Sequence, residues 1–274
     1  MSPANLFPQL APWVQQLPNV WPAYLIKPQF ASWEVLHILS LIILGGTSIL
    51  INLRLIGVGL TNEPASELHR NLRVWINVGV IGILVSGLLI GMANAERLYN
   101  STAFSVKMIA LLAGVILTYG VTGPVARAEG QVGRGAMFWW IVGLAVFLFG
   151  LWVFATAMLI SPGLFHVLTA AGLIVLMVTR GPRRWAYLGL MAVLMGLQFV
   201  ITHLIIEPTD FARTDPVNMT FAGLYTAGIL GFAILQLVSG RRDPDTRPLT
   251  QVIGYVSILV WVVAAAAGRW IAFA

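Results

Sequence analysis

The 274-residue chain contains no cysteine. That absence excludes a disulfide framework, a thiolate-held metal and an iron–sulfur cluster. Charge is scarce as well: Asp, Glu, Lys and Arg together make up 9% of the residues, against about 25% in soluble domains. There is no Walker-type phosphate loop, no Gly-x-Ser-x-Gly turn and no His-Glu-x-x-His pair, which removes the commonest nucleotidase, hydrolase and metalloprotease readings. The first thirty residues lack the charged start and apolar core of a cleaved signal peptide. "NLFPQLAPWVQQLPNVWPAYL" reads instead as a Pro- and Trp-rich segment at a membrane interface, where Trp and Tyr favour the headgroup level.

What fills the space left by charge is apolar: 58% of the residues are hydrophobic. A membrane span needs about 20 mostly apolar residues, and eight runs qualify, 31–53, 74–95, 103–121, 136–160, 163–179, 185–206, 219–238 and 252–273. The expected fold class is therefore all-α, a polytopic membrane protein with eight transmembrane helices. The formal net charge of +6 would point to nucleic acid in a soluble protein, but here it reads as topology-setting loops and excludes nothing about the bilayer as the main partner. Of the 16 basic residues, 11 follow odd-numbered spans: Arg54, Arg70, Arg73, Arg127, Arg134, Arg180, Arg183, Arg184, Arg241, Arg242 and Arg247. The positive-inside rule then places both termini away from the cytoplasm. The expected location is a bacterial inner membrane with periplasmic termini.

An internal repeat is visible. "HILS" at His37 is matched by "HVLT" at His166, and "RVWINVG" at Arg73 by "RRWAYLG" at Arg183. Four spans separate each pair, so the chain reads as two four-helix units of like orientation. The expected division is a 1–30 interfacial segment, a 31–160 unit and a 161–274 unit. Between the first two spans, "ASELHRNL" after Pro64 reads as a short amphipathic surface helix capped by Ser66, with His69 a solvated loop histidine. The glycines of "GVIGILVSGLLIG" (79–91) read as close helix packing.

Four histidines occur in the chain, and three of them, His37, His166 and His203, fall at one depth, close beneath the outer surface. Glu34 precedes His37 by three residues and Glu207 follows His203 by four, so each acid shares a helical face with its histidine. Lys107 and Arg269 occupy the same layer, and Met92, Met108, Met158 and Met219 lie near outer helix ends. Ionisable groups in a span are costly, which makes this layer the candidate site. Three readings stay open. The imidazoles could be satisfied core residues. His37 and His166 could hold a haem iron from opposite sides, with Lys107 and Arg269 on its propionates. Or His37, His166, His203, Glu34, Glu207 and the methionines could bind copper or another transition metal. No span carries a mid-membrane acid or base chain of the kind a proton-coupled transporter uses, and Gln198, Gln236, Asn77 and Tyr119 are the main buried polar candidates.

A span opening "WEVLHILSLIILGG", a basic return "RNLRVW" and a doubled four-span unit resemble the bacterial copper-resistance D-like proteins and neighbouring polytopic families, in the early His37 followed by Gly45 and Gly46. The resemblance implies an inner-membrane protein handling copper at the periplasmic face. There is a general likeness to membrane b-type cytochromes too, although two-haem members need four intramembrane histidines at two depths, and this chain offers one level, room for one haem b. The leading expectation is copper handling, then a single-haem electron carrier, then an anchor or permease with structural histidines and no cofactor. None requires the chain to be an enzyme by itself. A separate periplasmic metal or redox protein and a second copy of the chain are the partners left open.

Overall fold

Surrounded by acyl chains, an apolar segment has no water to satisfy its backbone, so it must close its own N–H and C=O groups, and a single segment does so as a helix. The computed structural model describes residues 2–156, 168–169, 171–177, 179, 181–207, 209–239 and 248–271. Among these there is no β-strand, and seven helices are long and apolar enough to cross a membrane. The chain is accordingly a multi-pass membrane protein. The spanning helices are α1 (Phe30–Ile56), α2 (Ala65–Ala93), α3 (Thr102–Leu117), α4 (Arg134–Thr156), α5 (Pro182–Phe199), α6 (Phe211–Ser239) and α7 (Pro248–Trp270). The expected span at 163–179 is described only in part, at 168–169, 171–177 and 179, and neither the count of eight nor the doubled arrangement is observed among the described residues. Side chains such as Ile81, Leu88 and Ile141 are each more than 60% exposed, the signature of helices that turn apolar faces to lipid.

The chain divides into two compact units, 1–157 with 244–274, and 158–243. In the first, α7 packs against α1 and α3, although the sequence pattern had placed it in the second half. Small residues allow this. A Cβ on Gly254 would lie 2.6 Å from Ile56 and 3.0 Å from the Asn52 carbonyl of α1, and one on Gly114 of α3 would lie 2.9 Å from the Trp261 ring of α7. Between these helices sits a sealed polar cluster. Asn52 donates to the Ser48 carbonyl at 2.8 Å, and Thr122 Oγ1 donates to Asn52 Oδ1 at 3.3 Å and lies 3.4 Å from the Ser257 hydroxyl. All four are buried, and each is satisfied by the others, as a low dielectric demands. In the second unit Val175, Tyr187, Leu194, Phe221, Tyr225 and Ile229 form the core.

Two helices carry a π-helical turn. α3 runs through Thr118–Thr122 into a short helix, Gly123–Arg127, and α5 runs on through Val200–Ile205. The N-terminal segment is a string of short helical turns. Pro3–Leu6 and Ala11–Gln16 lie against the helix Ala95–Asn100, where Tyr99 donates to the Phe7 carbonyl at 2.6 Å.

The start of α2 departs from expectation. Ala65 opens a continuous 29-residue helix, with no separate surface helix, and His69 is buried at 7% exposure. Ser66 does not cap it. The cap comes from far along the chain: Glu129 accepts from Ala65 N and Ser66 N, each at 3.0 Å. Glu129 reaches there because the chain reverses after Arg127 through two left-handed residues, Glu129 at φ 48° and Gly130 at φ 83°, and Thr250 of α7 holds the Gly130 carbonyl at 2.7 Å. Desolvation pushes the Glu129 carboxyl up, but the hydrogen bonds from Ser66 and Ala65 and the charge of Arg54 outweigh it and hold the group below its ordinary value. A depressed carboxyl contributes stability above the unfolded value and loses it as pH falls through the folded one. Glu129→Ala is expected to cost about 1 kcal/mol, the usual worth of a helix cap, read as a lower thermal midpoint in detergent at neutral pH. The gap to the wild type should close as the pH drops below the ordinary carboxylate value of 4.5.

Candidate functional site

α1 and α2 run antiparallel, and their seam is closed by glycine. A Cβ on Gly79 would lie 2.7 Å from the Leu44 side chain and 2.8 Å from its backbone nitrogen, one on Gly82 would overlap Ser40, and one on Gly87 would meet the His37 ring at 3.1 Å. The close packing read from the glycine run is thus present. It brings Ser86 of α2, fully buried, within 2.9 Å of His37 Nδ1. From α3, Lys107 Nζ reaches His37 Nε2 at 3.0 Å.

The roles follow from the donor inventory. Ser86 Oγ donates to the Gly82 carbonyl, so its hydroxyl proton is committed and its lone pairs face the imidazole. His37 therefore carries its proton on Nδ1 and donates to Ser86. Nε2 is then the acceptor, and Lys107 donates to it. The result is one directed chain, Lys107 to His37 to Ser86 to Gly82, built from three helices. Glu34 is exposed one turn above, and its charge acts on Lys107. On α7, Gly268 lies beside the Lys107 stem, whose Cδ would be 3.5 Å from a Cβ there, and Arg269 is exposed at that helix end.

The remaining sequence candidates are placed as follows. Met108 and Met219 are 44% and 47% exposed, and Met92 is half-buried. His203 and Glu207 are exposed in the second unit. His203 stacks on Phe199 at 4.7 Å, and its Nδ1 lies 2.9 Å from Thr202 Oγ1. His166 and Met158 lie outside the described residues. Among the described residues no three His, Asp or Glu side chains gather into a metal-holding group.

The second unit holds a cavity of about 840 Å³ that sequence reasoning did not anticipate. Its walls are largely apolar, with Met191, Met195 and Phe199 among them. One polar patch is fixed within it: Gln198 donates to Asn218 at 2.8 Å and accepts from Tyr225 at 2.9 Å. Gln198 had been singled out as a buried polar residue, but its partners lie 20 and 27 residues away on α6, which no local pattern shows. Ser86 was missed for a similar reason, since a lone serine in a glycine-rich span looks like a packing residue.

A family of unknown function, DUF6644, matches residues 28–163, slightly under half of the chain. The matched stretch contains α1, α2, α3 and α4, and with them His37, Ser86 and Lys107. No curated protein and no solved structure matches the chain.

The geometry carries its own expectation. Ser86→Ala leaves the His37 Nδ1 proton with no acceptor in a seam that excludes water. Such a loss costs about 1–3 kcal/mol, measured as a fall in thermal midpoint. The Nδ1-protonated tautomer, visible in the ring nitrogen NMR shifts of the wild type, should give way to a mixture.

Proposed function

We propose that the protein is a proton-coupled permease whose proton-exchange site is the chain formed by Lys107, His37 and Ser86. The observation that carries this reading is the 3.0 Å contact between Lys107 Nζ and His37 Nε2. An ammonium facing a neutral imidazole nitrogen can pass its proton across that one bond. Lys107 then becomes the neutral amine and His37 the imidazolium, with no heavy atom displaced. Ser86 steadies the ring, since its oxygen accepts from Nδ1–H in both states. Intramembrane ionisable groups mark proton and substrate paths in membrane proteins, and exposed Glu34 provides an acid between the pair and the aqueous edge. The distribution of arginines supports an outward, periplasmic position for this end of the bundle, in a bacterial inner membrane.

The cavity of the second unit supports a substrate class. A space of about 840 Å³, largely apolar but with Gln198, Asn218, Tyr225, His203 and Asp215 among its lining, has the character of a small-molecule pocket, mostly hydrophobic with a few placed polar groups. It suits a largely apolar molecule that carries hydrogen-bonding groups.

Copper and haem b fit the described residues poorly. Either would need His37 Nε2, which already accepts from Lys107, and a cationic ammonium beside a metal ion is repulsive. The methionines at that level that are described are exposed or half-buried, and among the described residues no three His, Asp or Glu side chains gather around His37. His203, for its part, stands in the other unit.

The test uses proteoliposomes loaded with a pH-sensitive dye, with the membrane potential clamped by valinomycin and potassium. After an external pH drop, wild-type vesicles should equilibrate faster than empty ones. His37→Gln and Lys107→Met should each cut the protein-dependent rate at least tenfold. Equal rates in wild type and both variants would refute the relay. A Soret band or stoichiometric copper in the purified protein, lost in His37→Ala, would replace it with the metal-centred reading.

A further inference from the structure

At the opposite, arginine-rich end of the first unit lies a second cavity, of about 290 Å³, between the start of α2 and the π turn of α3. Its size is at the lower edge of small-ligand pockets, roughly 300–1,000 Å³. His69, Arg73 and Asn77 line it from α2, and Thr118, Tyr119 and Arg127 from the other side. No carboxylate is among the lining residues described, and among the described residues neither Arg73 nor Arg127 makes an ion pair. The neighbouring arginines are accounted for differently. Arg70 pairs with Glu67 at 2.7 Å, and Arg54 donates to the Glu63 carbonyl at 2.6 Å. Two like charges are therefore held around one small space with nothing of opposite sign between them.

A second observation points into the same space. The Thr118 hydroxyl is buried, at 4% residue exposure, and has no hydrogen-bond partner. Elsewhere in the chain, helical threonines such as Thr47, Thr202 and Thr226 satisfy themselves on the carbonyl four residues back. Thr118 does not, and it opens the π turn, a local widening of the helix that is rare and recurs at functional positions. An unmet buried hydroxyl is destabilising, and a ligand accepting its hydrogen bond removes that cost. Beside it, Tyr119 donates to Asn77 at 2.8 Å, which leaves the Asn77 amide protons free to donate. His69 Nε2 stands 3.0 Å from where a Gly123 Cβ would be, so a larger residue at 123 would press on the imidazole. The lining thus offers two guanidiniums, an imidazole, an amide and a hydroxyl, nearly all donors.

We propose that this cavity binds a phosphate group, with Arg73 and Arg127 gripping its oxygens and Thr118 and Asn77 completing the cradle. Guanidinium–phosphate pairs are the strongest and most directional contacts available to such a group. The phosphate could be the headgroup of an anionic phospholipid, since basic pockets between membrane helices bind such heads, or it could be a free anion from the aqueous side. The site is separate from the His37 chain and does not depend on its role.

The test uses the full chain in a zwitterionic detergent. Thermal midpoint is followed against dihexanoyl phosphatidylglycerol, dihexanoyl phosphatidylcholine and inorganic phosphate. A saturable rise with phosphatidylglycerol alone identifies a lipid headgroup, and one with inorganic phosphate as well identifies a free anion. In either case Arg73→Gln and Arg127→Gln should each raise the half-saturating concentration at least tenfold, whereas Arg70→Gln, outside the cavity, should leave it unchanged. Native mass spectrometry of the wild type, counting retained phosphatidylglycerol or phosphate, decides the matter should the arginine variants fail to fold. No saturable response and no retained phosphate in the wild type, or a response that survives both arginine substitutions, would overturn the proposal.

Discussion

A polar atom inside an apolar bundle has no water to fall back on, so each must meet a protein partner at its own depth. In this chain the meeting is arranged by the seam between α1 and α2. The helices are antiparallel, and one of the closest contacts pairs Leu44 with Gly79. Moving seven residues back along α1 reaches His37, and moving seven forward along α2 reaches Ser86. Both steps are two helical turns, about 10 Å, in the same direction. The register fixed by a glycine contact therefore delivers a hydroxyl to an imidazole at a distance from the contact itself, and the 2.9 Å bond between them follows from the packing. Lys107 completes the group because α3 brings the third side chain to that level.

The same seam explains why the site was only half legible. Spans, the shared level of the ionisable residues and the packing role of the 79–91 glycines can be read along the chain, because hydrophobicity and residue size are local properties. His37 and Lys107 were both picked out for being expensive where they stand. What the sequence does not state is which expensive groups pay for each other. A histidine, a lysine and a serine on three helices show no common spacing, so a directed chain among them could not be seen in any one span. Glu129 and Ser66 make the same point at the α2 start. A serine after proline is a good local cap, but the available carboxylate 63 residues on binds two N–H groups at once and prevails.

The two π turns add a feature that composition conceals altogether. In each unit the widened turn stands beside a cavity: Thr118 opens one in α3, and Thr202 and His203 belong to the other in α5. A π turn shifts the side chains that follow it by most of a residue's rotation and loosens the backbone register. It can therefore turn a polar residue out of a packed interface and toward an open space without breaking the helix. Proline would do so by kinking the helix, and glycine by weakening it, so a π turn is the conservative solution in a span that must stay continuous across the membrane.

The two ends of the first unit handle positive charge in opposite ways. Near His37 the cation is a lysine, and its immediate partner is a neutral ring. An imidazole accepts a hydrogen bond without contributing a charge that would itself need burying, so the ammonium is stabilised at a smaller desolvation cost than a buried carboxylate pair would incur. Such an arrangement also keeps the proton movable, because donor and acceptor are both bases whose protonated forms are cations. Near His69 the cations are arginines, which do not give up protons at all, and the ring beside them is hemmed in by Gly123. Charge there is permanent and can be neutralised only by something brought to it. Lysine with histidine at one end and arginine with histidine at the other thus separate an end chemically suited to passing a proton from an end suited to holding an anion.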